Sequence, residues 1–231
     1  LLDYAFGGAG VSEDPNSEML FTLKREIDSY LLSHQDIADP KSLFVVWMGA
    51  NNYLGLPGNP EQVISEVSEG IKSSLQRLVD SGAKYILVLN LPDLGKSPFA
   101  KLVHAEELLT QWTMEHNQKL SDTINQLQQV NPSVQWLFYD VNTMLQAILT
   151  QPELYGFTNV AATCYESIMA SSVMNQYSMI KVASQINKNS KQDHCDGYLF
   201  FDLVHPASLA HEQIATGVRQ LLDQAGITLK S

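Results

Sequence analysis

The sequence predicts an α/β protein in which helices lie on both sides of a parallel β-sheet. Three apolar runs without polar alternation predict strands: Leu43–Met48, Tyr85–Leu89 and Val134–Tyr139. Runs of this kind are typical of strands that are buried on both faces. Helical patterns separate the runs, so the strands are joined by crossover helices, which parallel pairing requires. We therefore expect a three-layer α/β/α arrangement.

The helices are predicted from apolar residues that recur at helical spacing. The first begins at Asn59-Pro60, an N-cap and a first-turn proline, and ends at Gly82. A long helix ends near Asn131-Pro132, a short one covers about residues 142–149, and the last covers residues 206–222. The apolar positions of the first two are Val63, Val67, Ile71, Leu75 and Leu78, then Leu108, Trp112, Leu120, Ile124 and Leu127.

We expect one domain over residues 1–231, interrupted by an excursion over residues 151–198. A structureless loop of this length is unusual inside a compact domain, so we expect it to contain a helix at about residues 165–186. The polar segment Asn187–Asp193 lacks periodicity, and we expect it to form an exposed tip. Because the excursion directly precedes Asp202, it is a candidate lid.

Composition argues against several classes of function. The chain has 231 residues and a net charge of −11, with 14 Lys and Arg against 25 Asp and Glu. The sequence has no basic cluster, which argues against nucleic-acid binding. The negative net charge disfavours binding to an anionic bilayer surface, but it does not exclude a zwitterionic lipid as substrate. No apolar run approaches the length of a membrane span.

Cys164 and Cys195 are the only two cysteines in the sequence, and neither lies in a Cys-x-x-Cys metal-binding or redox spacing. They bracket a polar segment, so we expect a disulfide that closes a surface loop in an exported protein. Two reduced thiols are the alternative. The histidines have no ligand-like partners in the sequence, and His116 falls on the apolar stripe of the long helix, where a packed ring is expected.

Asp202 and His205 are the main candidates for chemistry. At a spacing of three residues, a carboxylate can orient an imidazole and raise its basicity, as in a Ser-His-Asp triad. The strand-like Tyr198–Phe201 places the pair at the carboxyl end of a strand, where α/β proteins hold their sites. Pro206 suits the first turn of the following helix. The alternative is an N-capping aspartate beside an exposed histidine.

Two glycine-containing turns are candidates for stabilising an oxyanion. Asn51, in Gly49–Asn52, directly follows a strand, and its side-chain amide can donate to a developing negative charge. The loop Ala5–Gly10 lacks a nucleotide-binding pattern, but one of its backbone N–H groups can act as a second donor. Ordinary turns are the alternative for both segments, since glycine and asparagine favour turns for backbone reasons. The turn Leu91–Gly95 is assigned no chemistry.

Taken in this order, the motifs resemble the blocks of the GDSL/SGNH hydrolase family. Ala5–Ala9 resembles the second block, Gly49–Asn52 the third and Asp202–Pro206 the fifth. Other segments narrow the likeness to the secreted bacterial branch, which contains lysophospholipases and glycerophospholipid:cholesterol acyltransferases. These segments are Tyr139–Asn142, Pro152–Asn159 and Gly197–Asp202, together with Cys164, whereas Asn90–Gly95 with Pro98 resembles a sequence that family members in general carry after the next strand.

The resemblance implies roles for four residues. Asp202 and His205 are the implied triad members, and the Gly8 N–H and the Asn51 amide are the implied oxyanion donors. It also implies a first block, Gly-Asp-Ser-Leu, which this sequence does not contain. We therefore expect the first strand and its nucleophilic serine to lie outside this chain, and the chain alone to be inactive. Asn52 stands where the family usually has Asp, and we expect this difference to matter little.

The fold that the resemblance implies is the flavodoxin-like SGNH arrangement, and the implied activity is that of a secreted bacterial acyl-ester hydrolase. Lysophospholipid or phospholipid would be the substrate, and water or a sterol hydroxyl would accept the acyl group. No metal or cofactor is expected, and any membrane contact would be peripheral. Two alternatives are a carboxylesterase for soluble or carbohydrate esters and a non-catalytic scaffold that binds lipid or a partner.

Overall fold

Strands form two sheets in the computed structural model, which describes residues 1–11, 21–164 and 195–228 of the chain. The first sheet has the order β1-β2-β3, and β1 pairs in parallel with β2, with Leu43 opposite Tyr85. In the second sheet, β4 pairs in parallel with β5. The strands are β1 Leu43–Val46, β2 Tyr85–Leu89, β3 Gln135–Tyr139, β4 Asn159–Thr163 and β5 Tyr198–Phe200.

Helices connect β1 to β2, β2 to β3 and β3 to β4 along the chain, and the predicted α/β class is confirmed. They are α1 Leu23–Ser33, α2 Ala50–Tyr53, α3 Pro60–Asp80, α4 Pro98–Leu102, α5 Glu106–Val130, α6 Val141–Thr150 and α7 Ser208–Gln224, with short 3₁₀ turns at Leu94–Lys96 and Pro152–Tyr155. The predicted beginning of α3 is confirmed, because the side chain of Asn59 caps the helix and Pro60 occupies its first turn. None of the described helices is long and apolar enough to cross a membrane.

The chain divides into two compact units. The first contains Leu1–Leu91 and Gln111–Phe138, and the second contains Pro92–Thr110 and Tyr139–Ser231. In the first unit, β2 is almost entirely buried. Among the described strands, β1 lies at an edge of the sheet, and its residue Val45 is 58% exposed. The core of the second is built around β5 and consists of Leu145, Ile148, Phe157, Leu199, Phe200 and Ala210. The prediction of one domain stays a prediction.

Three features differ from the sequence-based expectations. The helix α1 is additional, and its apolar residues Leu23, Ile27 and Leu31 are buried at helical spacing. The strand β4 lies within the excursion 151–198, where its small and half-exposed residues gave no apolar run. The helix expected at 165–186 and the polar tip Asn187–Asp193 fall outside the described residues.

The placement of Pro206 in the last helix was wrong. The helix α7 begins at Ser208 with Ala207 as its N-cap, and Pro206 instead forms an isolated antiparallel bridge to Phe200. The cause is a backbone bond from the Ala207 N–H to the Leu199 carbonyl at 2.8 Å, which turns the chain back along β5. The helix therefore begins only after the segment that carries Asp202 and His205 has been closed into a loop.

The predicted disulfide between Cys164 and Cys195 is confirmed, with Cα atoms 5.3 Å apart. Cys164 directly follows β4, and its N–H bonds to the carbonyl of Phe200 on β5 at 2.9 Å. Because the bridge joins the chain beside the β4–β5 pair, it holds together the strands that lead into the Asp202–His205 loop.

We expect loss of this bridge to lower the free energy of unfolding by about 3–4 kcal/mol, since the two cysteines are 31 residues apart and the open chain regains loop entropy. Denaturant unfolding of the wild type with and without reductant measures the loss. The double variant Cys164→Ser with Cys195→Ser is the control, and reductant should leave its stability unchanged. Two free thiols titrating in non-reducing denaturant would contradict the bridge.

Candidate active site

The segment Asp202–Pro206 is a tight loop at the carboxyl end of β5. The Phe201 N–H donates to the His205 carbonyl at 2.9 Å, and the Phe99 N–H of α4 donates to the Leu203 carbonyl at 2.9 Å. The Asp202 carboxylate closes the loop from inside, because its Oδ1 accepts the N–H of Val204 at 2.9 Å and that of His205 at 2.7 Å. The backbone around the predicted pair is thus fixed from both sides.

The side chains of Asp202 and His205 are hydrogen-bonded to each other, as the sequence predicts. His205 Nδ1 lies 2.8 Å from Asp202 Oδ2 and 3.0 Å from Oδ1. When the Nδ1–H donates to the carboxylate, Nε2 is the basic nitrogen of the ring. The imidazole is 56% exposed and the carboxylate 15% exposed. The alternative of a helix-capping aspartate is wrong, because Ala207 is the N-cap of α7 and the Asp202 carboxylate instead bonds to backbone N–H groups within its own loop.

The pair shifts the pKa of both of its members. Burial acts to raise the pKa of the Asp202 carboxyl, but hydrogen bonds from the His205 ring and from the backbone outweigh it and hold the pKa below its usual value. The hydrogen bond to Asp202 raises the pKa of His205, and burial opposes this effect. A charged carboxylate that makes an imidazole more basic is the arrangement used for general-base catalysis.

The glycine-rich loop is a type II turn. The Ala9 N–H donates to the Phe6 carbonyl at 3.1 Å, and Gly8 has φ of 82°, the left-handed conformation that the third position of this turn requires. A side chain at Gly8 would be strained in that conformation. Within the described residues, the N–H groups of Gly7 and Gly8 have no acceptor, which leaves them available to an oxyanion.

Neighbouring residues anchor the turn on both sides. The Phe6 N–H donates to the Glu26 carboxylate of α1 at 3.0 Å, and burial raises the pKa of that carboxyl while this bond lowers it. The Asn51 Nδ2 donates to the Ala9 carbonyl at 2.9 Å, and the Val11 N–H donates to Asn52 Oδ1 at 3.1 Å. These contacts bring the predicted donors Gly8 and Asn51 together in one structural unit.

The anchoring roles of Glu26 and Asn52 were missed by the sequence analysis. No sequence signal marks Glu26, because it lies on the unpredicted helix α1. Asn52 contributes an acceptor oxygen that Asp also provides, which gives a physical reason for the expectation that Asn in place of Asp at this position matters little.

We expect Asn52→Ala to lower the free energy of unfolding by about 1–3 kcal/mol, because the Val11 N–H is buried and loses its acceptor. Asn52→Asp keeps an acceptor oxygen at the same position and serves as the matched control. Denaturant unfolding of the two variants measures the difference, and equal stabilities would contradict the anchoring role.

Asn51 and Asn52 lie on α2, directly after β1. The turn into this helix passes through Gly49, which has φ of 123°, and the Trp47 Nε1–H bonds to the Asn90 carbonyl at the end of β2 at 3.0 Å.

The turn after β2 is structural, since the Asp93 carboxylate accepts the Gly95 N–H at 2.9 Å. Within the described residues, no group of three or more His, Cys, Asp or Glu side chains is arranged to hold a metal ion.

Gly8 and Asn51 belong to the first compact unit, and Asp202 and His205 belong to the second. The structure thus brings each predicted pair together within its own unit. The convergence of all four residues on one cleft stays a prediction.

Comparison with known proteins identifies the family. The family model of GDSL-like lipases and acylhydrolases matches residues 2–218. The chain belongs to this family. Its parallel strands and intervening helices agree with the family's SGNH fold. The motifs at Ala5–Ala9, Gly49–Asn52 and Asp202–Pro206 all lie inside the matched range.

Similar family members are found in bacteria and plants. A phosphatidylcholine-sterol acyltransferase of Aeromonas hydrophila is 27% identical over 89% of this chain and 67% of its own length. A thermolabile hemolysin of Vibrio parahaemolyticus is 25% identical over 93% of the chain and 50% of its own length. A GDSL esterase/lipase of Arabidopsis thaliana is 26% identical over 71% of the chain. The chain spans about half the length of the last two relatives.

Proposed function

We propose that this chain supplies the general base and the oxyanion donors of a serine acyl-ester hydrolase that acts on lysophospholipid or phospholipid. The observation that carries the proposal is the hydrogen bond of 2.8 Å between His205 Nδ1 and Asp202 Oδ2. This bond leaves Nε2 as an exposed base, and the carboxylate behind the ring stabilises the imidazolium that forms during reaction. Membership of a lipase and acylhydrolase family supports the same chemistry.

In the proposed reaction, a serine hydroxyl attacks the ester carbonyl carbon and gives its proton to His205 Nε2. The carbonyl oxygen becomes an oxyanion, which accepts the Gly8 N–H and the second N–H of the Asn51 amide, since the first is bonded to Ala9. Collapse of the tetrahedral intermediate expels the alcohol, which takes the proton from His205. Water or a sterol hydroxyl then attacks the acyl-serine. His205 takes the proton of the attacking hydroxyl and gives it to the departing serine oxygen, which releases the fatty acid or the sterol ester.

We propose that the nucleophilic serine lies on a segment outside this sequence. Within the described residues, no serine hydroxyl is hydrogen-bonded to His205, whose Nε2 is available for one. Among the described strands, β1 lies at an edge of its sheet, where its backbone groups can pair with a further strand. Below, the extended protein means this chain together with the segment that carries the serine.

A lipid substrate is supported by the surroundings of the oxyanion turn. Phe6 and Phe21 stack at 4.0 Å with rings almost parallel, and they remain 48% and 39% exposed. Phe6 is two residues from Gly8, so an acyl chain that extends from the bound carbonyl has an apolar surface beside it. The relative named for phosphatidylcholine and a sterol favours a phospholipid as acyl donor.

We also propose that the protein is exported. The Cys164–Cys195 disulfide is stable in oxidising compartments and rare in the cytosol. A relative in Salmonella typhimurium, 25% identical over 83% of the chain, is named a secreted effector protein.

The substrate proposal is tested by assaying the extended protein on lysophosphatidylcholine, phosphatidylcholine and a short soluble ester. We expect the highest kcat/KM on a phospholipid, and Phe6→Ala should lower kcat/KM for the long-chain lipid more than for the short ester. Preference for the soluble ester would instead indicate a carboxylesterase. Binding of lipid without hydrolysis of any ester would indicate a non-catalytic scaffold.

A further inference from the structure

His116 and Tyr53 form a buried hydrogen-bonded pair beneath the turn that carries Asn51. His116 lies on α5 and is 2% exposed, which confirms the packed ring expected from the sequence, and Tyr53 is fully buried at the end of α2. The Tyr53 hydroxyl lies 2.8 Å from His116 Nδ1, and the two rings meet edge to face with centroids 5.5 Å apart. No step of the proposed reaction uses either side chain.

The same imidazole packs against the other end of α2. A Cβ atom placed on Gly49 would lie 2.8 Å from His116 Cε1, so only glycine leaves room for the ring at this position. The helix α2 consists of Ala50–Tyr53, with Gly49 as its N-cap. The His116 ring therefore contacts the residue before the helix and bonds to its last residue, and Asn51 lies between these two points.

We propose that His116 and Tyr53 are positioning residues that hold the Asn51 amide in place for the oxyanion. This inference rests on the proposed role of Asn51. The Asn51 amide also bonds to Ala9 in the turn of Gly8, so a shift of α2 would move one donor and disturb the other.

The pair is neutral over the pH range in which an ester hydrolase works. Burial lowers the pKa of His116 to about 4, and burial raises the pKa of the Tyr53 hydroxyl above its usual value. Within the described residues, His116 Nε2 has no hydrogen-bond partner. The Tyr53 hydroxyl is thus what orients the ring through hydrogen bonding, and its removal frees the imidazole to move.

The test compares Tyr53→Phe, Asn51→Ala and the double variant in the extended protein. We expect Tyr53→Phe to lower kcat by roughly 10- to 100-fold with little change in KM, since a small misplacement of a donor costs rate and not substrate binding. In the Asn51→Ala background the same substitution should have no further effect on kcat, because the group that it positions is already absent.

Ser68→Ala is the matched control. It removes the Ser68–Thr123 hydrogen bond of 3.2 Å, which joins α3 to α5 and involves no residue of α2, and it should leave kcat unchanged. If Tyr53→Phe does not fold, His116→Gln is the second variant, since it keeps a hydrogen-bonding group and removes the ring beside Gly49. It should give the same loss of kcat and the same absence of effect in the Asn51→Ala background.

The outcomes separate this inference from the proposed function. An unchanged kcat in Tyr53→Phe, or an equal loss with and without the Asn51 amide, would overturn the positioning role. If Asn51→Ala itself keeps the wild-type kcat, the proposed oxyanion donor is wrong, and the positioning role fails with it.

Discussion

Replacement of Asp202 by Asn in the extended protein is expected to lower kcat by about 10⁴-fold. The carboxylate accepts the proton of His205 Nδ1, and an amide in its place can present an N–H to the ring and favour the wrong tautomer. The backbone loop should persist, because the Asn oxygen still accepts the N–H groups of Val204 and His205. Steady-state kinetics measure the loss, and circular dichroism checks the fold.

The pH dependence of kcat/KM provides a second test of this prediction. The proposed reaction needs neutral His205, and Asp202 raises the pKa of His205, so we expect the activity of the extended protein to rise as the pH increases through this raised value. Loss of the carboxylate lowers the pKa of His205, and the acidic limb of kcat/KM should move to lower pH while the rate falls. An acidic limb that stays in place in Asp202→Asn would contradict the assignment of His205 as the base.

Asn51→Ala is expected to lower kcat by about 10²- to 10³-fold, with a modest change in KM. In the proposed role, the Asn51 amide donates to a charge that develops only in the transition state, so we expect its loss to act mainly on kcat. The substitution also removes the bond to the Ala9 carbonyl. Asn52→Ala is the control for this second effect, since it detaches the same turn at Val11 but keeps the Asn51 amide. Equal losses in the two variants would show that Asn51 only anchors the turn.

Elements whose apolar residues form one continuous buried surface could be predicted from the sequence. The strand β2 is apolar throughout because nearly all of it is buried, and α3 has apolar residues at helical spacing because one of its faces is buried while the other is exposed. The strand β4 could not be recognised, since its residues are half-exposed and its partner β5 follows only after residues 164–197. The position of Pro206 was misjudged because backbone bonds to β5, and not local preference, decide where α7 begins.

The candidate site shows the same division between local and long-range contacts. The Asp202–His205 pair could be predicted, because its hydrogen bonds connect residues three positions apart. The anchors of the Gly8 turn could not, because Glu26 and Asn52 meet it across 20 and 41 residues of sequence. The family resemblance implied that Gly8 and Asn51 are oxyanion donors, and the structure shows the hydrogen bonds that hold the turn in place.

We propose that His205 of this chain activates a serine that lies outside it. The most direct measurement is mass-spectrometric identification of the residue that an alkyl fluorophosphonate modifies in the extended protein and in its His205→Ala variant. We predict one modified serine outside these 231 residues, with labelling slowed by several orders of magnitude in the variant. Modification of a serine within these 231 residues, or labelling at the same rate without His205, would contradict it.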